Sequence, residues 1–241
     1  MSAPRVEFGF VAALEREVAG LVRDWSRTKA QSGDGSWPIY CKQQAALILA
    51  GTGAERACTA AKLLIEKFAP RVLISIGFAG SCRPDLHPGE VVVPESLVEA
   101  ATGRTFHCAF GQGQLVTLDR VAGKALKQQA AARFGAWAVD MEAAGVADAA
   151  AGSGTEFAAI KAISDGAGED LAFLSSFVRP GGFETGRFMA FIALRPNLWP
   201  AVADLHRNSK LAATALHYAV GEGMRDWRMF AARHTPAASR I

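Results

Sequence analysis

Closely spaced cysteines are missing from this chain. The four present, Cys41, Cys58, Cys82 and Cys108, lie far apart with no Cys-x-x-Cys among them. That excludes the spacing of a disulfide framework or a zinc site and suits a reducing cytoplasm. Long apolar runs are missing too: Phe188 to Leu194 is only seven residues, against the ~20 a membrane span needs. Arg5 and Glu7 interrupt the N-terminal stretch, so no secretory signal peptide is expected. An excess of one charge is also lacking. With 26 Lys and Arg against 23 Asp and Glu the formal net charge is +3, and no basic run or aromatic-interleaved patch stands out, so nucleic acid is not an expected partner. No repeat, low-complexity tract or linker divides the chain, and residues 1–241 are expected to form one α/β domain. Apolar side chains are what it has in quantity: they make up 50% of the 241 residues, enough for a full core.

Short apolar runs ending at turns alternate with amphipathic ones. Val6 to Ala13, Ala45 to Ala50 and Arg71 to Ile76 read as strands, the latter two closed by Gly51-Thr52-Gly53 and Gly77-Phe78-Ala79-Gly80. A helix is expected from about Glu15 to Asp24, and residues 26–36 read as a polar surface loop or hairpin. Glu55 to Phe68 has Ala57, Ala61, Leu64, Ile65 and Phe68 on one face and predicts a helix stopped by Pro70. Gly89 to Val98 reads as one long strand, 102–117 as further β structure, and Arg120 to Arg133 as helix. Two strand–helix units follow: strand Trp137 to Val139 with helix Met141 to Ala151, then strand Phe157 to Ile163. Residues 166–182 read as a loop with a short helix, a candidate lid. Helices are expected over Glu184 to Leu194 and Leu198 to Val220, with the last dozen residues loose.

The chemistry concentrates in two acids. Glu142 and Asp165 each follow a short buried strand, and in α/β sheets ligands bind beyond the carboxyl ends of the strands. Both are therefore expected at one crevice, where a pair of acids can hold sugar hydroxyls and supply a proton. Helix capping is the ordinary alternative for either residue alone.

The pair with its neighbours, Asp140-Met141-Glu142-Ala143-Ala144 and Ala162-Ile163-Ser164-Asp165, resembles the purine nucleoside phosphorylase / methylthioadenosine nucleosidase superfamily. Further segments match in order: Gly9 to Val18 with its acidic turn at Glu17, Gly51-Thr52-Gly53, Ile76 to Ser81, and Pro88 to Val93. A lone Gly-x-Gly would be weak, since such turns usually serve backbone geometry; the ordered set is specific. Beyond residue 170, Arg179 to Gly182, Arg187 to Pro196 and Trp199 to Ser209 are similar to one branch, the hopanoid-associated phosphorylases, implicated in removing adenine from adenosylhopane.

The resemblance implies a single-domain, three-layer α/β/α fold with a central mixed, partly barrel-like sheet, divergent and helical from about residue 183. It implies N-glycosidic cleavage of a purine nucleoside, with no cofactor beyond inorganic phosphate as a co-substrate, in a homo-oligomer. Asp165 would protonate the leaving purine, with neighbouring negative charge and burial keeping it protonated. Ser164 would hold the purine edge, Glu142 the ribose hydroxyls and Met141 the sugar face, with Phe78, Ala79 and Gly80 close to the ligand. Glu17 would hold water, where phosphorylases carry a phosphate-binding arginine. Lys161 stands where the nucleosidases have arginine, a poorer phosphate fork as an ammonium, and Phe78 replaces a serine. Thr52, Arg56 and Ser81 offer a different phosphate site. The plain structural roles are a solvated first-turn acid for Glu17, a strand-end ion pair with Glu142 or Asp165 for Lys161, and core for Phe78.

Three functions follow: cleavage of an adenine nucleoside with a bulky apolar 5′ group such as adenosylhopane, an ordinary methylthioadenosine/adenosylhomocysteine nucleosidase, or a silent nucleoside- or lipid-binding relative. The region between Val98 and the Met-Glu unit is shorter than in the nucleosidases. This predicts an open mouth at the 5′ position lined by Phe173, Phe177, Phe183, Phe188, Phe191 and Trp199, with transient contact to the inner membrane surface.

Overall fold

The computed structural model describes residues 5–32, 35–179 and 182–235. In chain order, β1 (Phe8–Ala12) leads through the single turn α1 (Glu15–Val18) to a hairpin of β2 (Ser26–Ser32) and β3 (Gly35–Lys42), then β4 (Ala45–Leu49), α2 (Ala54–Phe68) and β5 (Val72–Ser81). Short strands β6 (Val91–Val92), β7 (Ser96–Glu99), β8 (Thr105–His107) and β9 (Gln114–Thr117) precede α3 (Lys124–Phe134), β10 (Ala136–Asp140), α4 (Ala143–Ser153) and β11 (Glu156–Asp165). A 3₁₀ turn over Ala172–Phe177, the two-residue strands β12 (Val178–Arg179) and β13 (Gly182–Phe183), α5 (Thr185–Ala193), α6 (Trp199–Arg225) and α7 (Trp227–His234) complete the order.

Eleven strands form one mixed sheet that divides at β5. β1 lies parallel between β4 and β5. β11 runs parallel to β5 from Glu156 opposite Val72 to Asp165 opposite Gly80, while β10 joins antiparallel only at Gly80 and Ser81. Alternation of side chains in the central strands separates two cores. Leu73, Ile48, Phe157 and Ile163 face the layer of α2 and α4. Phe8, Phe10, Leu47, Ile74 and Ile160 face α6 and α7. This is a large mixed sheet flanked by helices on both faces.

The helices follow their sequences. α2 buries Ala57, Ala60, Ala61, Leu64 and Phe68; a fully buried leucine such as Leu64 contributes about 1.5–3 kcal/mol. It ends where Ala69 turns left-handed (φ 39°) and its N–H donates to Ile65 O at 2.8 Å, with Pro70 unable to continue the helix. α4 is alanine-rich and buried nearly all round. Its Gly145 lies so close to α2 that a Cβ there would sit 1.8 Å from Ala54 O.

Several elements differ from expectation. The helix expected to reach Asp24 stops after one turn, followed by turns through Gly20. The single strand expected over 89–98 is two, split at Pro94, which has no N–H for a ladder. The polar stretch 26–36, by contrast, lies in a hairpin, one of the two forms expected for it, whose tip at 33–34 lies outside the described residues. The C-terminal end, expected loose, holds α7: Asp226 caps it by accepting from Met229 N–H at 3.0 Å, and Trp227 and Phe230 pack on Phe110. Residues 236–241 lie outside the described residues.

Candidate active site

The ends of β1, β5, β10 and β11 converge on a cavity of about 160 Å³, lined among others by Glu17, Thr52, Phe78, Met141, Glu142 and Asp165. Ala79, Gly80 and Ser164 line it as well. Of the residues expected from the sequence to hold the base and the sugar, Lys161 is absent from this lining.

β11 delivers its pair through a register shift. Ile163 pairs with Ala79 and Asp165 with Gly80, leaving Ser164 as the extra residue of a bulge, a device that re-aims side chains at the end of a ladder. Ser164 Oγ donates to Asp165 Oδ1 at 2.7 Å. The other carboxylate oxygen accepts a short hydrogen bond from Lys127 Nζ. The neighbour of Asp165 is therefore a cation, where negative charge was expected. Lys127, on α3, is 1% exposed and also donates to Gly166 O at 2.7 Å and Glu169 O at 3.3 Å.

On the sugar side expected for Glu142, three acids surround one lysine. Glu142 Oε1 accepts from Gly53 N–H at 2.9 Å. Burial, with the nearby carboxylate of Asp140, pushes Glu142 up from its ordinary value to about 8. Glu17 is buried, not solvated. Leu14 N–H donates to its Oε2 at 3.1 Å, and burial raises its pKa against the opposing pull of that bond and of Lys161. β5 makes room for it: Gly77 has φ +150°, and a Cβ there would lie 3.0 Å from Glu17 Oε2, so only glycine is easily accommodated.

Lys161 is 1% exposed and pairs with Asp140 Oδ2 at 2.9 Å while donating to Ser75 Oγ at 2.9 Å. Neither partner expected from the sequence, Glu142 or Asp165, holds it. Asp140 in turn accepts from Thr117 Oγ1 at 2.7 Å and from Ala143 N–H at 2.9 Å, fixing the start of α4. Lys161 thus acts on the cavity acids through the field and not by contact.

Of the proposed phosphate trio only Thr52 lines the cavity, and its hydroxyl donates to Arg179 O at 2.9 Å. Arg56 is spent on Ala50 O and the Trp37 ring, and Ser81 Oγ on Arg83 O. Arg16 and Arg120 line the cavity instead, and Arg120 is paired with Asp119 at 2.8 Å.

The 5′ mouth differs from expectation. Leu171, Leu174, Val178, Phe183 and Leu205 line the cavity from the segment after β11 and from α6. Of the six aromatics expected there, Phe183 alone lines it. Phe177, Phe188 and Phe191 stack edge-on and pack with Leu174 and Ile192 into a separate small core, and Trp199 points outward, 54% exposed. Stacking of the rings on each other removes more apolar surface from water than lining an open groove would. Residues 171–179 and 182–205 therefore form a packed cap.

Lys127, Asp140 and Arg16 were not singled out from sequence. Lys127 had a positional signal, lying three residues before Ala130 on the buried side of α3. Arg16 sits beside Glu17 in the first turn.

Solved structures share this architecture. The methylthioadenosine/S-adenosylhomocysteine nucleosidase of Neisseria meningitidis, in complex with methylthio-immucillin-A, superposes with a TM-score of 0.70 at 20% identity, over 90% of this chain and 98% of that one. The corresponding Helicobacter pylori nucleosidase with butyl-thio-DADMe-immucillin-A gives 0.65 at 17% identity, over 90% and 99%. Futalosine hydrolase of H. pylori gives 0.65 at 17%, over 90% and 98%. At these identities the likeness is one of fold. The sequence itself matches the phosphorylase superfamily over two overlapping segments, residues 7–117 and 101–179, and by that match the chain belongs to the phosphorylase superfamily.

Proposed function

We propose that the protein cleaves the N-ribosyl bond of a purine nucleoside, with adenine as the leaving base and an apolar group at the 5′ position. The observation that carries this is the placement of Glu17 with Glu142, and of Asp165 with Ser164, on one cavity at converging strand ends. Cleavage builds positive charge on the sugar and negative charge on the base. Glu142 would accept from ribose hydroxyls, and the developing cation would favour its ionised form, an interaction stronger in the transition state than in the ground state. Met141 would pack on the sugar, Phe78, Ala79 and Gly80 on the ligand, and Thr52 would join the cap to the sugar site. Asp165 would protonate the base, a role worth ~10²–10⁴-fold.

Water is the nucleophile in this reading. Glu17 sits at the cavity with one carboxylate oxygen held by Leu14, and Lys161, bound to Asp140, offers a phosphate dianion no contact. Arg16 is the group phosphate would use if it were the co-substrate.

Leu171, Leu174, Val178, Phe183 and Leu205 suit an apolar 5′ substituent, whose burial contributes ~25 cal/mol per Å². The cavity, about 160 Å³, fits a small group such as a methylthio. A second reading, a triterpene as in adenosylhopane, is favoured by the resemblance of Arg179 to Ser209 to the hopanoid-associated branch and by Met189, Leu194 and Trp199, which the cap leaves exposed. It requires the cap to open, and it would bring a cytoplasmic homo-oligomer to the inner membrane surface; no helix among the described residues is long and apolar enough to cross it. Rates on adenosine, methylthioadenosine and longer 5′-alkylthio analogues test the reading. kcat/KM should rise with apolar 5′ size up to a limit; equal values across the series would remove the apolar 5′ site.

A further inference from the structure

Lys127 is a buried charge, 1% exposed, that the reaction above leaves unused. It is enclosed between α3, β5 and the loop after β11. It donates to the Asp165 carboxylate and to the carbonyls of Gly166 and Glu169. Gly80 makes the approach possible: a Cβ there would stand 2.8 Å from Asp165 Oδ2 and 2.9 Å from Lys127 Cε. A proton donor facing an ammonium poses a chemical question, because a carboxylate in that position has no proton of its own to give.

We propose that Lys127 is a positioning residue that supplies the proton Asp165 delivers to the leaving base. This inference rests on the nucleoside-cleaving reading. The N–H bond of the Lys127 ammonium breaks as an O–H bond forms at Asp165 Oδ2, giving a neutral amine and a neutral carboxyl. The carboxyl O–H bond then breaks as an N–H bond forms on the purine, which leaves neutral, and solvent returns a proton to Lys127. The active state holds one proton shared by the pair.

The surroundings keep that proton on the pair. Cys82, beyond β5, is pushed up to about 12 by burial and stays a neutral thiol. The Glu169 carboxylate is turned to Gly166 N–H at 3.0 Å. Asp140 on β10, which packs against α3, is committed to Lys161. Lys124 and Arg133, the other charged residues of the same helix, are exposed.

The test is the pH profile of kcat/KM for purine release by the intact protein and two variants. Wild type should keep its activity past pH 8. In Lys127→Met the carboxyl must hold the proton alone, so the alkaline limb should move down by at least one pH unit. A simple ion pair predicts the opposite direction, since removing the ammonium makes the carboxyl hold its proton more tightly. Lys127→Arg keeps the charge but cannot release a proton; turnover should fall about 100-fold at every pH, whereas a structural cation would be restored by arginine. Glu17 and Glu142, both raised by burial, set the acid limb alike in all three proteins, so the comparison is read on the alkaline limb alone. An alkaline limb that stays or moves up in Lys127→Met, or full activity in Lys127→Arg, overturns the proposal. Where Lys127→Met does not fold, the arginine variant decides. Failure of wild type to release a purine at any pH overturns the nucleoside-cleaving reading, and the relay with it.

Discussion

Replacing Glu142 by glutamine should make the protein more stable and less active, by an amount that depends on pH. Its carboxyl is raised from an ordinary 4.5 to about 8, first by burial and then by Asp140. The folded state therefore holds the proton more tightly than the unfolded chain. The native protein loses stability as pH rises from about 4.5 to about 8, with no further change from this group above that. A shift of three to four units between 4.5 and about 8, at about 1.36 kcal/mol each, sets an upper bound near 5 kcal/mol. The carboxylate faces a cavity that water can enter, and screening lowers the expected difference to about 2–4 kcal/mol. Glutamine keeps the carbonyl that accepts from Gly53 N–H and removes the titration. Thermal unfolding should show Glu142→Gln equal to wild type near pH 5 and more stable at pH 8.5, by roughly 2–4 °C per kcal/mol for a chain of this size. Parallel melting curves at both pH values, or a variant less stable at pH 8.5, would refute the reasoning.

Asp165→Asn should lose most turnover, by about 100-fold or more, and should also melt lower near neutral pH, because it leaves the buried Lys127 ammonium without its carboxylate; near-native rates on a purine nucleoside would remove Asp165 from its role. Glu142→Ala should lower kcat and not only raise KM, because its hydroxyl contacts strengthen toward the transition state, and steady-state kinetics on ribo and 2′-deoxy substrates would show it. Gly77→Ala places a methyl 3.0 Å from Glu17 Oε2 at φ +150° and should cut activity at least tenfold with a smaller change in melting. Gly145→Ala drives a methyl into Ala54 O; separating α2 from α4 should cost about 1–3 kcal/mol, read as a lower denaturant midpoint.

The alternating strand and helix pattern was legible because both periods are strong in the centre of the chain, where β1, β5 and β11 are apolar and end at glycine or acidic turns. The acids of the cavity were legible for the same reason: Glu142 and Asp165 stand at strand ends, where side chains face ligand. What the sequence hid is long-range. Nothing local shows that Lys127, placed three residues before Ala130 on the inner side of α3, meets Asp165 thirty-eight residues on, or that Lys161 spends its charge on Asp140. The cap was misread because aromatics after a lid-like loop fit a groove lining and a small core equally well by spacing; the contacts among Phe177, Phe188 and Phe191 decide for the core. α7 was missed because Trp227 and Phe230 give only one apolar turn, and Phe8 and Phe110, which they pack on, are remote in sequence.

The central claim is tested most directly by incubating the purified protein with methylthioadenosine, with and without inorganic phosphate, and identifying both products. The account predicts free adenine and free methylthioribose, formed at the same rate in either buffer. Methylthioribose 1-phosphate appearing only with phosphate would contradict water as the nucleophile, and an intact nucleoside under both conditions and with the longer 5′-alkylthio analogues would contradict N-ribosyl cleavage itself.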